Sequence, residues 1–274
     1  MPAPRRTTKT STHFGLRRDL LDAAAILLAQ ARSVLFITGA GMSADSGLTH
    51  YRGLPGLLKR KSEDGKMFEA ALSAELLQRK PSVSWRYLLE MDAAVRAVQP
   101  NTGHAILVEL EKALKRSFIM TMNVDRLHQR AGSRNVIEMH GALNDLLCPR
   151  CEISRRVDNF QTIAIPPGCP SCGTALRPDM PLFGEALPQD PFTRLQIELD
   201  AGFDMVIAVG VVSMPPYVAR PILLAKSEGI PTVEIGPTVT DVSEVVDFRF
   251  RGTPMRVLEL IWETYRQRPS MGRA

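Results

Sequence analysis

No apolar run in this 274-residue chain approaches the ~18 residues that a helix needs to span a bilayer, and no apolar stretch follows the basic start MPAPRRTTKTSTHF as a secretory signal would require. The expectation is a cytoplasmic protein with no membrane partner. Cysteine is scarce: the four residues all fall in two Cys-x-x-Cys pairs, and without a secretion signal disulfide pairing is not expected of them. Charge of one sign is missing from the body of the chain. The net +5 comes from Arg5, Arg6 and Lys9 in the head and Arg266, Arg268 and Arg273 in the tail; taking those six from 34 Lys+Arg leaves 28 against 29 Asp+Glu. A near-neutral body argues against a nucleic-acid partner. The head itself, rich in Thr, Pro and Arg, reads as a disordered tail, with a transit peptide as the alternative.

Internal repeats and low-complexity blocks are also absent, so organisation has to come from alternating elements. An amphipathic helix near Arg18–Arg32, with Leu20, Leu21, Ala24, Leu27 and Leu28 on one face, leads into the buried strand VLFITGAG. Short apolar strands recur as FIMTMNVD (118–125), VIEMHG (136–141), MVIAVGVV (205–212) and PTVEIG (231–236). Helical patterns at about 82–98, 103–115, 190–201, 217–228 and 254–266 separate them. Strands apolar on both faces and spaced by helices indicate an α/β fold with a doubly wound parallel, Rossmann-like sheet. Sites in such sheets lie off the carboxyl ends of the strands.

Those ends read GAGMS, MNVD, MHG, VGVV and EIG. Gly39-x-Gly41-x-x-Ala44 fits the glycine fingerprint that lets backbone N–H groups approach a phosphate, with the following helix N-terminus adding a favourable dipole. A tight turn with no ligand is the plain alternative. A dehydrogenase would place an acidic residue at the end of a second strand about twenty residues on. The sequence there is LPGLLKRKSEDGK, which contains no strand, so hydride transfer is disfavoured. His140 is either a hydrogen-bonded structural residue or, from its place on the same rim as Asn123 and Asp125, a base with the right pKa for neutral pH.

Cys148-Pro-Arg-Cys151 and Cys169-Pro-Ser-Cys172 are separated by seventeen residues, within the spacing of a tetrahedral zinc site. Four thiolates leave no position for a reacting water. The metal should hold a small ribbon together and do no chemistry.

In these motifs the chain resembles the sirtuins, NAD-dependent protein deacylases, from about residue 16 to about 262. GAGMSADSGLTHYRG is similar to the family's glycine loop ending in aromatic-Arg-Gly, TMNVDRLHQRAG to its T-Q-N-[IV]-D-x-L-H-x-x-A-G, and MHG and RPDMPLFGE to its later motifs. The resemblance implies that NAD is bound for cleavage of its glycosidic bond. It assigns catalytic roles to His140, Asn123 and Asp125, with Asp125 holding the departing carboxamide, Asn123 orienting the ribose and His140 taking a ribose hydroxyl proton. It assigns cofactor contacts to Gly39, Ala40, Gly41, Ser43, Tyr51, Arg52, Met122, Asn123, Val124, Asp125, Gly210, Val211, Val212 and Gly236. An acylated-lysine protein substrate would lie as an extra strand beside Phe183, Gly184 and Glu185. The implied division is a tail over 1–13, a Rossmann-like NAD-binding domain over 14–141 and 178–266, a zinc module over 142–177 inserted in it, and a second tail over 267–274.

Departures from the family pattern fall on the cofactor side. Met122 stands for the usual Gln, Val211-Val212 for Thr-Ser, Gly236 for Asn and Thr49 for Pro. Each lost hydrogen bond costs ~0.5–1.5 kcal/mol, and three together would weaken NAD binding on the order of tenfold to a thousandfold. ADP-ribose transfer to a protein, NAD hydrolysis, or a weakly active NAD-binding protein are the alternatives to deacylation. Members that remove succinyl groups carry Tyr-x-x-Arg in the helix aligned with residues 81–95. Leu88 and Met91 stand there, which implies an apolar acyl chain unless both are ordinary core residues.

Overall fold

The computed structural model describes residues 17–48 and 68–267. Helix α1 (Arg18–Gln30) leads to β1 (Ser33–Thr38), the five-residue α2 (Ala40–Ala44), and then α3 (Phe68–Ala71), α4 (Ala74–Arg79), α5 (Pro81–Ala97) and α6 (Thr102–Ala113). Strand β2 (Arg116–Thr121), α7 (Leu127–Ala131) and β3 (Val136–Glu138) follow. The chain then leaves the main sheet for a ribbon of β4 (Ala142–Leu147), β5 (Ser154–Arg156) and β6 (Arg177–Asp179). It returns with α8 (Gln189–Asp200), β7 (Met205–Val209), α9 (Pro216–Ser227), β8 (Thr232–Ile235), β9 (Phe248–Phe250) and α10 (Pro254–Arg266).

The six strands of the main sheet pair in parallel in the order β3-β2-β1-β7-β8-β9. This is the doubly wound sheet that the apolar strands imply. Alternation along β1 shows why both faces are buried: Val34 and Phe36 pack with α1, α6 and α10, whereas Leu35 and Ile37 pack with α8 and α9. The sixth strand, β9, has no counterpart in the reading of the sequence. Its three residues, Phe-Arg-Phe, are too few to declare a period.

The ribbon shares its apolar cluster with the helices that precede it. Trp85, Leu88 and Met91 of α5 pack with Leu146, Phe160, Leu176 and Leu182, so Leu88 and Met91 are buried core residues here. Asp92, also on α5, is fully buried and accepts hydrogen bonds from Arg96 Nε at 2.8 Å, Asn144 Nδ2 at 3.1 Å and the backbone N–H of Phe160 at 3.2 Å. Removing one partner of such a buried charge costs about 3–5 kcal/mol. The carboxylate is therefore a tie between helix and ribbon.

Candidate active site

The strand order reverses between β1 and β7, the place where open parallel sheets form a binding crevice. The loops that leave these two strands touch. Gly41 N donates to Gly210 O at 2.8 Å and Gly39 N to Val209 O at 3.2 Å. A Cβ on Gly41 would lie 2.7 Å from Gly210 O, and one on Gly210, whose φ is +64°, would overlap Met42 N. Glycine at 41 and 210 is thus required by the contact of the two loops themselves. The helix after the loop is only α2, and Asp45 Oδ2 just beyond it accepts Met255 N at 2.7 Å, tying the turn to the start of α10.

Every motif placed on the rim by the sequence does follow a strand end: residues 39–43 after β1, 122–125 after β2, His140 after β3, 210–212 after β7 and Gly236 after β8. Three side chains from the first two of these motifs form one buried hydrogen-bonded unit. Ser43 Oγ donates to Asp125 Oδ2 at 2.6 Å, and Asn123 Nδ2 donates to Ser43 Oγ at 3.0 Å and to Gly39 O at 3.1 Å. Asp125 Oδ1 accepts Leu127 N at 2.9 Å. Burial raises the Asp125 pKa, opposed by the Ser43 and Leu127 hydrogen bonds.

His140 has a hydroxyl partner on one ring nitrogen. Its ring meets the Met122 backbone, and Nε2 lies 2.6 Å from the Tyr217 hydroxyl. Burial lowers the His140 pKa, with the Met122 contact acting the other way. Gly141 fixes the turn after it: its φ is +59°, and a Cβ there would collide with Asp179 O. Two further histidines sit behind the rim. His128 Nε2 pairs with Thr38 Oγ1 at 2.9 Å, and its ring lies 4.9 Å from that of His104. Burial pushes the His104 pKa down to about 4 and that of His128 well below its usual value.

The wall formed by the β7 and β8 exits is apolar. Val211 is buried beside the glycine loop, Val212 is exposed, and Gly210 adjoins Gly236. Met122 is partly buried against the core on the α8–α9 face, and Val124 is buried, its carbonyl accepting Leu143 N at 3.1 Å. Phe183 N already donates to Leu72 O at 3.1 Å, while Glu185 is gripped by Arg177 and by Leu182 N at 2.7 Å. Thr49, Tyr51, Arg52 and the LPGLLKRKSEDGK stretch lie outside the described residues.

At the tip of the ribbon the four cysteines converge. Their sulfurs all lie within 4.8 Å of one another, with separations of 3.3 Å (Cys148 to Cys151), 3.4 Å (Cys151 to Cys169), 3.5 Å (Cys151 to Cys172) and 3.6 Å (Cys148 to Cys172). A tetrahedron with Zn–S bonds of about 2.3 Å has edges of about 3.8 Å, so the residues fit one Zn²⁺ with a small outward relaxation.

Residues 39–214 match the model of the Sir2 family. The chain is 40% identical over 243 residues to NAD-dependent protein deacylase 2 of Pseudomonas aeruginosa, covering 87% of this chain and 95% of that protein. The chain belongs to the Sir2 family. A second relative, the NAD-dependent protein deacylase of Aquifex aeolicus, is 32% identical over 86% of this chain and 96% of its own length. A crystal structure of a Sir2 homolog in complex with NAD matches with a TM-score of 0.80 at 32% identity, over 90% of this chain and 94% of that one. One from work on the mechanism and regulation of Sir2 enzymes matches with a TM-score of 0.76 at 29% identity, over 92% of this chain and 99% of that one.

Within this Sir2 framework the structure adds residues that the sequence did not single out. His128 lies inside the quoted DRLHQRAG stretch, yet only the fold brings it to Thr38, ninety positions away. Tyr217 follows two prolines at the start of α9, and nothing in its local pattern points to His140, 77 positions earlier.

Proposed function

We propose that this Sir2-family chain is an NAD-dependent protein-lysine deacylase. The observation that carries the reading is the buried Ser43–Asn123–Asp125 unit on the same rim as His140. NAD, when bound, supplies a glycosidic bond whose cleavage releases nicotinamide and leaves ADP-ribose to receive the acyl group. The chain's own atoms divide the work. Asp125, with one oxygen on Ser43 and one on Leu127 N, offers its remaining lone pairs to the nicotinamide carboxamide. Asn123 spends Nδ2 on Gly39 and Ser43, so Oδ1 is the atom with which it orients a ribose hydroxyl. His140, its pKa lowered by burial, is neutral near pH 7 and can take a proton at Nε2.

Ala40, Tyr51 and Arg52 belong to the loop that would flank the ribose and phosphates, and Gly39, Gly41, Met122, Val124, Gly210, Val211, Val212 and Gly236 complete its surroundings. The substrate backbone would pair beside Phe183–Glu185 through main-chain groups that Leu72 does not already occupy. Zinc at Cys148, Cys151, Cys169 and Cys172 is structural, and reduced thiols there fit a cytoplasmic location.

Nicotinamide release from NAD, measured with and without an acetyl-lysine peptide, tests the reading. Release that requires the peptide is the expected result. Peptide-independent release would make the chain an NAD hydrolase or ADP-ribosyltransferase instead, and no release in either case would leave it a binding protein.

A further inference from the structure

The contact that the Sir2 reading leaves unused is the 2.6 Å hydrogen bond between His140 Nε2 and the hydroxyl of Tyr217. Because the Tyr217 hydroxyl occupies Nε2, any proton that reaches this nitrogen must either displace Tyr217 or pass through it. Displacement is opposed by how the tyrosine is fixed. Tyr217 is the second residue of α9, directly behind Pro215 at the N-cap and Pro216 at the first helical position, two residues whose φ is set by their rings. Its own ring packs edge-on against Phe192 of α8, with centroids 5.5 Å apart and planes at 62°.

We propose that Tyr217 is a further catalytic residue, a relay that carries the proton of a ribose hydroxyl to His140. The proposal rests on the deacylase reading above. In the step, the ribose hydroxyl gives its proton to Tyr217 Oη while the tyrosine's own proton passes to His140 Nε2. The ribose oxygen keeps the electron pair with which it bonds to the acyl carbon, while the carbon–nitrogen π pair of the substrate withdraws onto the lysine nitrogen; tyrosine ends unchanged and histidine ends as imidazolium. Both groups start in the required form. Burial raises the phenol pKa from 10 and lowers that of the imidazole from 6.5, so near neutral pH the hydroxyl holds its proton and the ring is neutral; the relay uses the tautomer with its hydrogen on Nδ1, which leaves the Nε2 lone pair facing Tyr217.

The variant Tyr217→Phe removes one oxygen from a partly buried ring and should leave the thermal midpoint unchanged. Two readouts decide the proposal. The first needs no cofactor: in protein labelled with ¹⁵N-histidine, the His140 Nε2 resonance, identified by its loss in His140→Ala, should shift in Tyr217→Phe. The second is kinetic: kcat for deacylation should fall about 10–100-fold while KM for the acyl-peptide stays within about twofold, and nicotinamide exchange, which precedes the proton transfer, should persist. The double variant Tyr217→Phe/His140→Ala should be no slower than His140→Ala alone, because the two act as one unit. An unchanged resonance, a kcat equal to or above that of the unaltered protein, a change in KM alone, or additive losses in the double variant would each overturn the relay. If the unaltered protein itself fails to deacylate, the deacylase reading falls and takes the relay with it. Failure of the relay alone shows only in the variants.

Discussion

The rim of the parallel sheet and the tip of the ribbon both gather polar groups, but they are completed in opposite ways. At the ribbon tip four sulfurs face one another, and a single tetrahedral ion satisfies them all. At the rim, Ser43, Asn123 and Asp125 satisfy one another only in part, with carboxylate and amide lone pairs left over, and His140 keeps a nitrogen that Tyr217 shares. A closed set stabilises a fold; an open set beside a crevice does chemistry. A similar contrast runs across the rim itself, between the hydrogen-bonded wall after β1 and β2 and the apolar wall of Val211, Val212 and Gly236.

If the regions divide the labour in this way, their variants should separate activity from stability. His140→Ala should lower deacylation by about 10²–10⁴ while leaving thermal unfolding in place. Near-normal turnover would make His140 a structural residue and erase the contrast. Chelation of the metal, or Cys169→Ser, should do the reverse. It should loosen the ribbon and lower the thermal midpoint, because binding free energy in such sites is largely folding energy. Freshly purified protein is expected to hold one zinc per chain; metal analysis well below half an equivalent would contradict the closed set.

Helix α5 joins the two regions and supplies the next test. Leu88 is fully buried and Met91 nearly so, and no charge stands at those two positions. Both side chains are spent on packing against the ribbon, so neither offers the cation that a succinyl carboxylate would need, and leaving that charge unpaired costs several kcal/mol. Acetyl-lysine peptide should therefore be preferred over its succinyl version by on the order of a hundredfold in kcat/KM, equal to ~2.7 kcal/mol. Equal rates would mean that another basic group reaches the acyl chain.

The smallest effect belongs to the apolar wall. Met122→Gln with Val211→Thr and Val212→Ser should lower the apparent KM for NAD by about tenfold, the lower end of what three recovered hydrogen bonds at ~0.5–1.5 kcal/mol each supply. Gly236 is best left alone, because its φ of +159° lies where side chains are uncommon. An unchanged KM would show that the wall binds through other groups.

Much of this arrangement is legible in the sequence because its signals are local. Strand ends after β1, β2, β3, β7 and β8 are marked by glycine or by a switch from apolar to polar, and the cysteine spacing names its own geometry. What stayed hidden depends on distant packing. The glycine fingerprint reads as an approach to phosphate, whereas Gly41 and Gly210 are also required by the contact of two loops 169 positions apart. The packing of Asp92 and Trp85 of α5 against the ribbon has no mark along the chain either. Tyr217 carries no local mark at all. Its role follows from where α9 begins relative to β3, which no spacing along the chain encodes.

The central claim is that the open rim couples cleavage of NAD to removal of an acyl group. Its most direct test is the ratio of nicotinamide released to lysine deacylated, followed by mass spectrometry on one acetylated peptide. The account predicts one nicotinamide for each acyl group removed, with the acyl group recovered on ADP-ribose. Nicotinamide released in excess, with the peptide still acetylated, would contradict it.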